Sequence, residues 1–470
     1  MPKLRFVLLI TLLFAAGLSA PALADELTMT VPRFGTVHIY RPAAPKHVAL
    51  FISGDGGWNL GVVGMARSLA EQDTLVVGID IIYYLQTLAH SDSRCNYAAA
   101  DFEALSQQVQ QKLGLHNYEY PVLVGYSSGA TLAYAVAVEA PPGTFRGALS
   151  LGFTADLPLT KPLCSGSGLR FEPGAKGKGV NFLPAPGLQT PWVVLQGDID
   201  QVAYTKTTQA FVAQIPAARV ILLPKVGHGF SVESHWMPQF KEAFLDLATH
   251  QAEQTPPPDS PLTGLPLVEV PALPGAPVSD YLAVLITGDG GWAGLDRGVA
   301  GEFAKAGVPV VGLNSLKYFW TPRDAAATAR DVERIARHYL AAWGKQRLLL
   351  IGYSFGADVV PFAVERLPSD LQQRVALAVL IGPDLSATFE FHVYDWMGST
   401  FSDAGEPIRP VLERLHGVPP TLCIHGAEET HSLCRTLPPS LATSIELKGA
   451  HHFDGDYAGL TQRILSALRQ

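Results

Sequence analysis

The sequence predicts two tandem α/β domains, each a mainly parallel sheet with helices on both faces. Three observations support this. A Gly-x-Ser-x-Gly motif occurs twice, as Gly125-Tyr126-Ser127-Ser128-Gly129 and Gly352-Tyr353-Ser354-Phe355-Gly356. About seventy residues before each lies a near-identical loop, Ser53-Gly54-Asp55-Gly56-Gly57-Trp58 or Thr287-Gly288-Asp289-Gly290-Gly291-Trp292. After each comes a His-aromatic turn, His228-Gly229-Phe230 or His451-His452-Phe453. Three landmarks repeated in one order are the mark of a duplicated unit.

The strands follow from short apolar runs. In the first half these are 48–52, 75–79, 121–124, 147–151, 192–195 and 220–223; in the second, 282–286, 308–311, 348–351, 376–380, 421–424 and 445–447. Amphipathic stretches such as 101–113 and 325–343 separate them. Continuously apolar strands alternating with helices imply a parallel sheet covered on both faces, with the site at the carboxyl ends of the strands.

The 470 residues exceed one core, as two domains require. Residues 1–24 read as a secretory signal peptide: Lys3 and Arg5, an apolar run from Phe6 to Leu18, then Ala22-Leu23-Ala24 as cleavage site. The first domain is assigned to 25–250, a proline-rich linker to 251–261 and the second domain to 262–470. No later stretch is apolar enough over a sufficient length to cross a bilayer. Loss of Lys3 and Arg5 takes the formal charge from −8 to −10. Such a chain is a poor partner for nucleic acid, whose phosphates repel it, and is better matched to a cationic substrate.

The four cysteines fall two per half, Cys95 with Cys164 and Cys423 with Cys434. An oxidising compartment makes one disulfide per domain the natural reading, with buried free thiols as the alternative. No CxxC or His-x-x-x-His pairing marks a metal site, and no cofactor is expected.

Gly-x-Ser-x-Gly between an apolar strand and a helix is the nucleophile elbow of α/β-hydrolases. The repeat therefore indicates two tandem α/β-hydrolase-like domains, with Ser127 and Ser354 as candidate nucleophiles. The glycine-rich loop ending the first parallel strand is placed to donate one backbone N–H to an oxyanion hole, and the residue after the serine the other. The candidates are Asp55, Gly56 and Ser128 in the first half, and Asp289, Gly290 and Phe355 in the second. The acid follows the penultimate strand: Asp200 or Asp198, then Glu429 or Glu428, with spacing favouring Asp200 and Glu429. The base follows the last strand: His228, and His451 with His452 as competitor. Chain order Ser, acid, His is that of α/β-hydrolases.

Gly352-Tyr-Ser-Phe-Gly-Ala-Asp-Val-Val-Pro361, the Thr287–Trp292 loop and His451-His-Phe-Asp-Gly-Asp-Tyr457 resemble the VirJ/AcvB family of bacterial periplasmic proteins, and the duplication resembles its longer AcvB type. The resemblance implies a virulence-associated periplasmic hydrolase that cleaves the ester of aminoacylated phosphatidylglycerol, lysyl or alanyl, at the membrane surface. Possible partners are secretion-system proteins. An ester suits a serine nucleophile, and the substrate ammonium suits carboxylates near Ser354: Asp289, Asp358, Asp454 and Asp456. Because the family pattern is closest in the second half, Ser354, Glu429 and His451 are the favoured set, with the first half either active or a holder of headgroup or partner. A non-enzymatic adaptor and a general esterase are the rival readings.

Overall fold

The computed structural model describes residues 25–174, 177–250, 261–391 and 405–469. The signal-peptide assignment, and all of the linker but Pro261, lie outside these residues. Among the described residues, twenty strands follow in chain order. In the first half they are β1 Asp25–Val31, β2 Gly35–Arg41, β3 His47–Ile52, β4 Thr74–Ile79, β5 Val122–Tyr126, β6 Gly147–Leu151, β7 Asp156–Leu157, β8 Phe171–Pro173, β9 Val180–Phe182, β10 Trp192–Gly197 and β11 Ala218–Leu223. In the second they are β12 Leu267–Val270, β13 Tyr281–Ile286, β14 Val310–Leu313, β15 Arg347–Tyr353, β16 Val375–Ile381, β17 Ser386–Ala387, β18 Glu406–Pro407, β19 Thr421–Gly426 and β20 Thr443–Leu447.

They form two main sheets, in the orders β1-β2-β4-β3-β5-β6-β10-β11 and β12-β14-β13-β15-β16-β19-β20. From β4 to β11 and from β14 to β20 every neighbouring pair runs parallel; β1, β2 and β12 add antiparallel edges. Strand periodicity explains why the parallel runs are apolar throughout. Val48, Leu50 and Ile52 enter one core, under the helices Ala98–Lys112 and Ser128–Glu139, whereas Ala49 and Phe51 enter another, under Leu60–Ala70 and Met237–Thr249. The second half repeats this, with Leu282, Val284 and Ile286 on one face and Ala283 and Leu285 on the other. This is the α/β-hydrolase architecture, present twice.

The halves are packed together. Tyr118 of the first half is buried within a core of the second and lies 5.2 Å from the Trp320 ring. Trp320 Nε1 donates to Leu115 O at 2.7 Å, and Asn314 Nδ2 to the Tyr120 hydroxyl at 2.8 Å. Among the described residues, no helix is long and apolar enough to cross a membrane.

Both expected disulfides are formed, Cys95–Cys164 and Cys423–Cys434, at sequence separations of 69 and 11. Loop-closure entropy gives about 4 kcal/mol for the longer loop and about 3 kcal/mol for the shorter. Cys95→Ser/Cys164→Ser should therefore lose more denaturant resistance than Cys423→Ser/Cys434→Ser. Urea unfolding of the two double variants measures this, and the reverse order would rule out the entropic account.

Candidate active site

Each serine sits where a parallel strand turns abruptly into a helix. Ser127 has φ 55° and ψ −122°, and Ser354 φ 51° and ψ −121°. This left-handed conformation costs a non-glycine residue about 1–3 kcal/mol and projects its hydroxyl out of the turn. The flanking glycines make it possible by close approach. A Cβ on Gly129 would strike the carbonyls of Ile52 and Ser53, and one on Gly356 those of Ile286 and Thr287. The glycine-rich loop reaches the same point: a Cβ on Gly54 would lie 3.2 Å from Ser127 Cβ, and one on Gly288 3.5 Å from Ser354 Cβ.

In the first half the relay is closed. Ser127 Oγ donates to His228 Nε2 at 2.9 Å, and His228 Nδ1 to Asp200 Oδ2 at 2.9 Å. Asp200 is buried, and its other oxygen accepts the amides of Val202 and Ala203 at 2.8 and 2.9 Å. Asp198 instead accepts the Lys225 amide, away from the histidine.

In the second half His451 Nδ1 donates to Glu429 Oε1 at 2.5 Å. Glu429 Oε2 accepts the Gly426 amide at 2.5 Å, whereas Glu428 is exposed. Burial works against ionisation of Glu429, but the His451 and Gly426 bonds outweigh it and hold the carboxyl below its usual range. The Cys423–Cys434 bond closes the loop that carries this glutamate. His452 bonds the Tyr353 hydroxyl at 3.0 Å, not Glu429. No hydrogen bond joins Ser354 to His451 among the described residues. The His451 side chain is 37% exposed against 18% for His228, so the second site is the more open. Sites without substrate commonly carry this bond long and tighten it on binding.

Several structural contributors escaped the sequence reading. Tyr126 donates to His228 O at 2.9 Å, and Tyr353 to His451 O at 3.4 Å, so the tyrosine before each serine braces the histidine loop. Its recurrence in both motifs was the available signal. Gly152 and Gly382, with φ 65° and 61°, lie directly beneath the rings of His228 and His451. Asp80 and Asn314 cap the helices after β4 and β14 and press on Gly57 and Gly291 of the oxyanion loops.

The surroundings differ between halves. Ser128 Oγ donates to Asp55 at 2.5 Å, tying the first loop to its elbow. The counterpart of Ser128 is Phe355, which packs at a tilt against Phe319 with ring centres 4.9 Å apart, and Asp289 turns to its neighbouring Gly290 amide. Asp358 accepts the Asp384 amide at 2.8 Å; burial, with the charges of Asp384 and Asp289, pushes its carboxyl well above the usual range against that bond. Glu103 of the first half would be 3.6 Å from a Cβ on Gly290, and burial together with the Asp289 charge raises its carboxyl to about 8. Asp454 and Asp456 have other roles: Asp454 pairs with Lys448 at 3.6 Å, and Asp456 caps the helix Tyr457–Ala467.

A family model described as bacterial virulence protein VirJ matches residues 46–148 and 280–470, more than half of the chain. The chain belongs to the VirJ family. The longer VirJ match contains Ser354, Glu429 and His451; the shorter ends before Asp200 and His228. No curated protein sequence matches the chain. Among solved structures, the esterase domain of a Rhodothermus marinus protein is 16% identical, covering 47% of this chain and 96% of its own, with a TM-score of 0.32. An α/β serine hydrolase homologue from Coxiella burnetii is 20% identical, covering 49% and 100%, also with a TM-score of 0.32.

Proposed function

We propose that this VirJ-family protein is an exported serine hydrolase that cleaves the aminoacyl ester of aminoacylated phosphatidylglycerol, with Ser354, Glu429 and His451 as its principal catalytic set. The observation that carries the serine-hydrolase reading is the duplicated strained elbow facing a carboxylate-anchored histidine, closed into one hydrogen-bond chain at Ser127. A partner-binding adaptor needs no such serine. Two disulfides support export to an oxidising compartment.

Ser354 Oγ attacks the ester carbonyl carbon while His451 Nε2 accepts its proton. The amides of Phe355 and of Asp289 or Gly290 hold the oxyanion of the tetrahedral intermediate. The intermediate collapses as His451 returns the proton to the departing glycerol oxygen, leaving the aminoacyl group on Ser354. Water, deprotonated by the same histidine, then releases the amino acid. Asp289 supplies negative charge for the substrate ammonium, whose arrival would favour ionisation of Asp358 and Glu103, the two carboxyls that burial raises, and the partly exposed Phe355 supports the apolar part of the lipid. What favours Ser354 for this substrate is the longer family match, together with these carboxylates and the more open histidine.

The test is to mix the mature protein with lysyl- and alanyl-phosphatidylglycerol in micelles and follow free amino acid. Release from neither lipid, with hydrolysis of p-nitrophenyl acetate intact, would leave a general esterase in place of the lipid hydrolase.

A further inference from the structure

The two halves hold their acids in different ways. In the first, the amides of Val202 and Ala203 converge on Asp200. Gln196, at the end of β10, ties the same loop down by donating to Gly197 O at 3.2 Å and to Ala203 O at 2.7 Å. In the second, Glu429 has one methylene more and so one more torsion to fix. Yet among the described residues only the Gly426 amide meets its carboxylate. The place of Gln196 is taken by His425, which sits 3.4 Å from Glu446 across the β19–β20 ladder and makes no hydrogen bond to the loop.

Arg435 supplies the missing restraint. Its Nε donates to Glu429 O at 2.7 Å and its Nη2 to Ala427 O at 2.9 Å, so one planar guanidinium grips the main chain of the acid loop at two points. Nη2 also pairs with Glu446 of β20 at 3.0 Å. Glu446 offsets the charge and ties the guanidinium to the sheet, so Arg435 acts on the loop through geometry. Its own backbone is anchored from behind. Arg435 closes a short 3-10 turn, Leu433–Arg435, in which Cys434 is bonded to Cys423 of β19 and the Cys434 carbonyl accepts from Ser444 Oγ at 2.9 Å. The Leu433 amide donates to Pro383 O at 3.1 Å, next to the Gly382 that lies beneath the His451 ring. One turn therefore touches both the loop of the acid and the seat of the base.

We propose that Arg435 is a positioning residue for the second site, holding the main chain of Glu429 so that its carboxylate meets His451 Nδ1. This role presupposes that Ser354, Glu429 and His451 work as a site, and is independent of which ester they cleave. Arg435 touches no reacting atom. Its removal lets the carboxylate drift from the imidazole, and a displacement of about 1 Å at such a group can cost about 10²-fold.

The test is the rate at which a fluorophosphonate labels Ser354 in the full mature chain, read by peptide mapping, with Ser127 of the same molecules as the control for folding. Arg435→Gln should slow labelling of Ser354 by about tenfold to a hundredfold and leave Ser127 unchanged. Arg435→Lys, which keeps the charge without the fork, should fall between Arg435→Gln and wild type. If Arg435→Gln also loses Ser127 labelling, Arg435→Lys decides. A double-mutant cycle separates positioning from general support. In a Glu429→Gln background, Arg435→Gln should change the Ser354 rate by less than about twofold, because a residue acting through Glu429 has no carboxylate left to place. An unchanged Ser354 rate in the deciding variant, or an undiminished effect on top of Glu429→Gln, would overturn the proposal. Failure of Ser354 to label in wild type while Ser127 labels would instead remove the site on which this role depends, and the role with it.

Discussion

Ser354→Ala is expected to lower amino acid release from aminoacyl-phosphatidylglycerol by roughly 10⁵ to 10⁶-fold, since removal of a serine nucleophile costs about that much. Ser127→Ala should leave this lipid activity within about twofold. The first-half serine should nonetheless label with a fluorophosphonate, because Ser127 already donates to His228 and His228 to Asp200. Peptide mapping of the label in wild type and in each alanine variant separates the two sites. If Ser354→Ala keeps full lipid turnover while Ser127→Ala loses it, the assignment of the principal site is wrong.

This prediction sets substrate complementarity against hydrogen-bond completeness. The first site has the finished relay, but its elbow carries a polar Ser128–Asp55 bridge. The second lacks the serine–histidine bond, yet its elbow carries Phe355, and Asp289, Asp358 and the first half's Glu103 cluster near it. A nucleophile–base bond can form when substrate excludes water. A missing apolar platform or ammonium partner cannot be supplied in that way. That asymmetry is why the favoured serine is the one whose relay is still open.

The central strands were legible because both faces of each are buried, so their apolar runs are unbroken. The edge strands β1 and β2 were not, since β1 (Asp-Glu-Leu-Thr-Met-Thr-Val) is mostly exposed and carries a polar pattern. The elbows and the order of serine, acid and histidine could be read from spacing alone. The choice between Asp198 and Asp200 turned on which carboxylate two loop amides turn toward the histidine, a matter of φ and ψ rather than composition. Glu103 could not have been found from local sequence. It sits on an amphipathic helix of the first half and approaches Gly290 only through the packing of one domain on the other.

Gly382→Ala should lower turnover at the second site about a hundredfold while leaving KM nearly unchanged. The added Cβ would lie 2.7 Å from His451 Cε1, 2.9 Å from its Nδ1 and 3.3 Å from Glu429 Oε1. The imidazole must move to accommodate it, and a displacement of about 1 Å at a reacting group can cost about 10²-fold. Gly152 would place its Cβ 3.1 Å from the His228 ring, so Gly152→Ala should perturb the first site less. Both substitutions also force alanine into positive φ, which costs roughly 1–2 kcal/mol. Gly344→Ala isolates that backbone cost, because Gly344 has φ 63° and no atom within 4 Å of a Cβ built there. Thermal melts should show Gly344→Ala destabilised by backbone strain alone, with full turnover, and Gly382→Ala destabilised at least as much and nearly inactive. Turnover of Gly382→Ala within twofold of wild type would mean that His451 does not need its seat on this glycine, and the role of the glycine beneath each histidine ring would have to be abandoned.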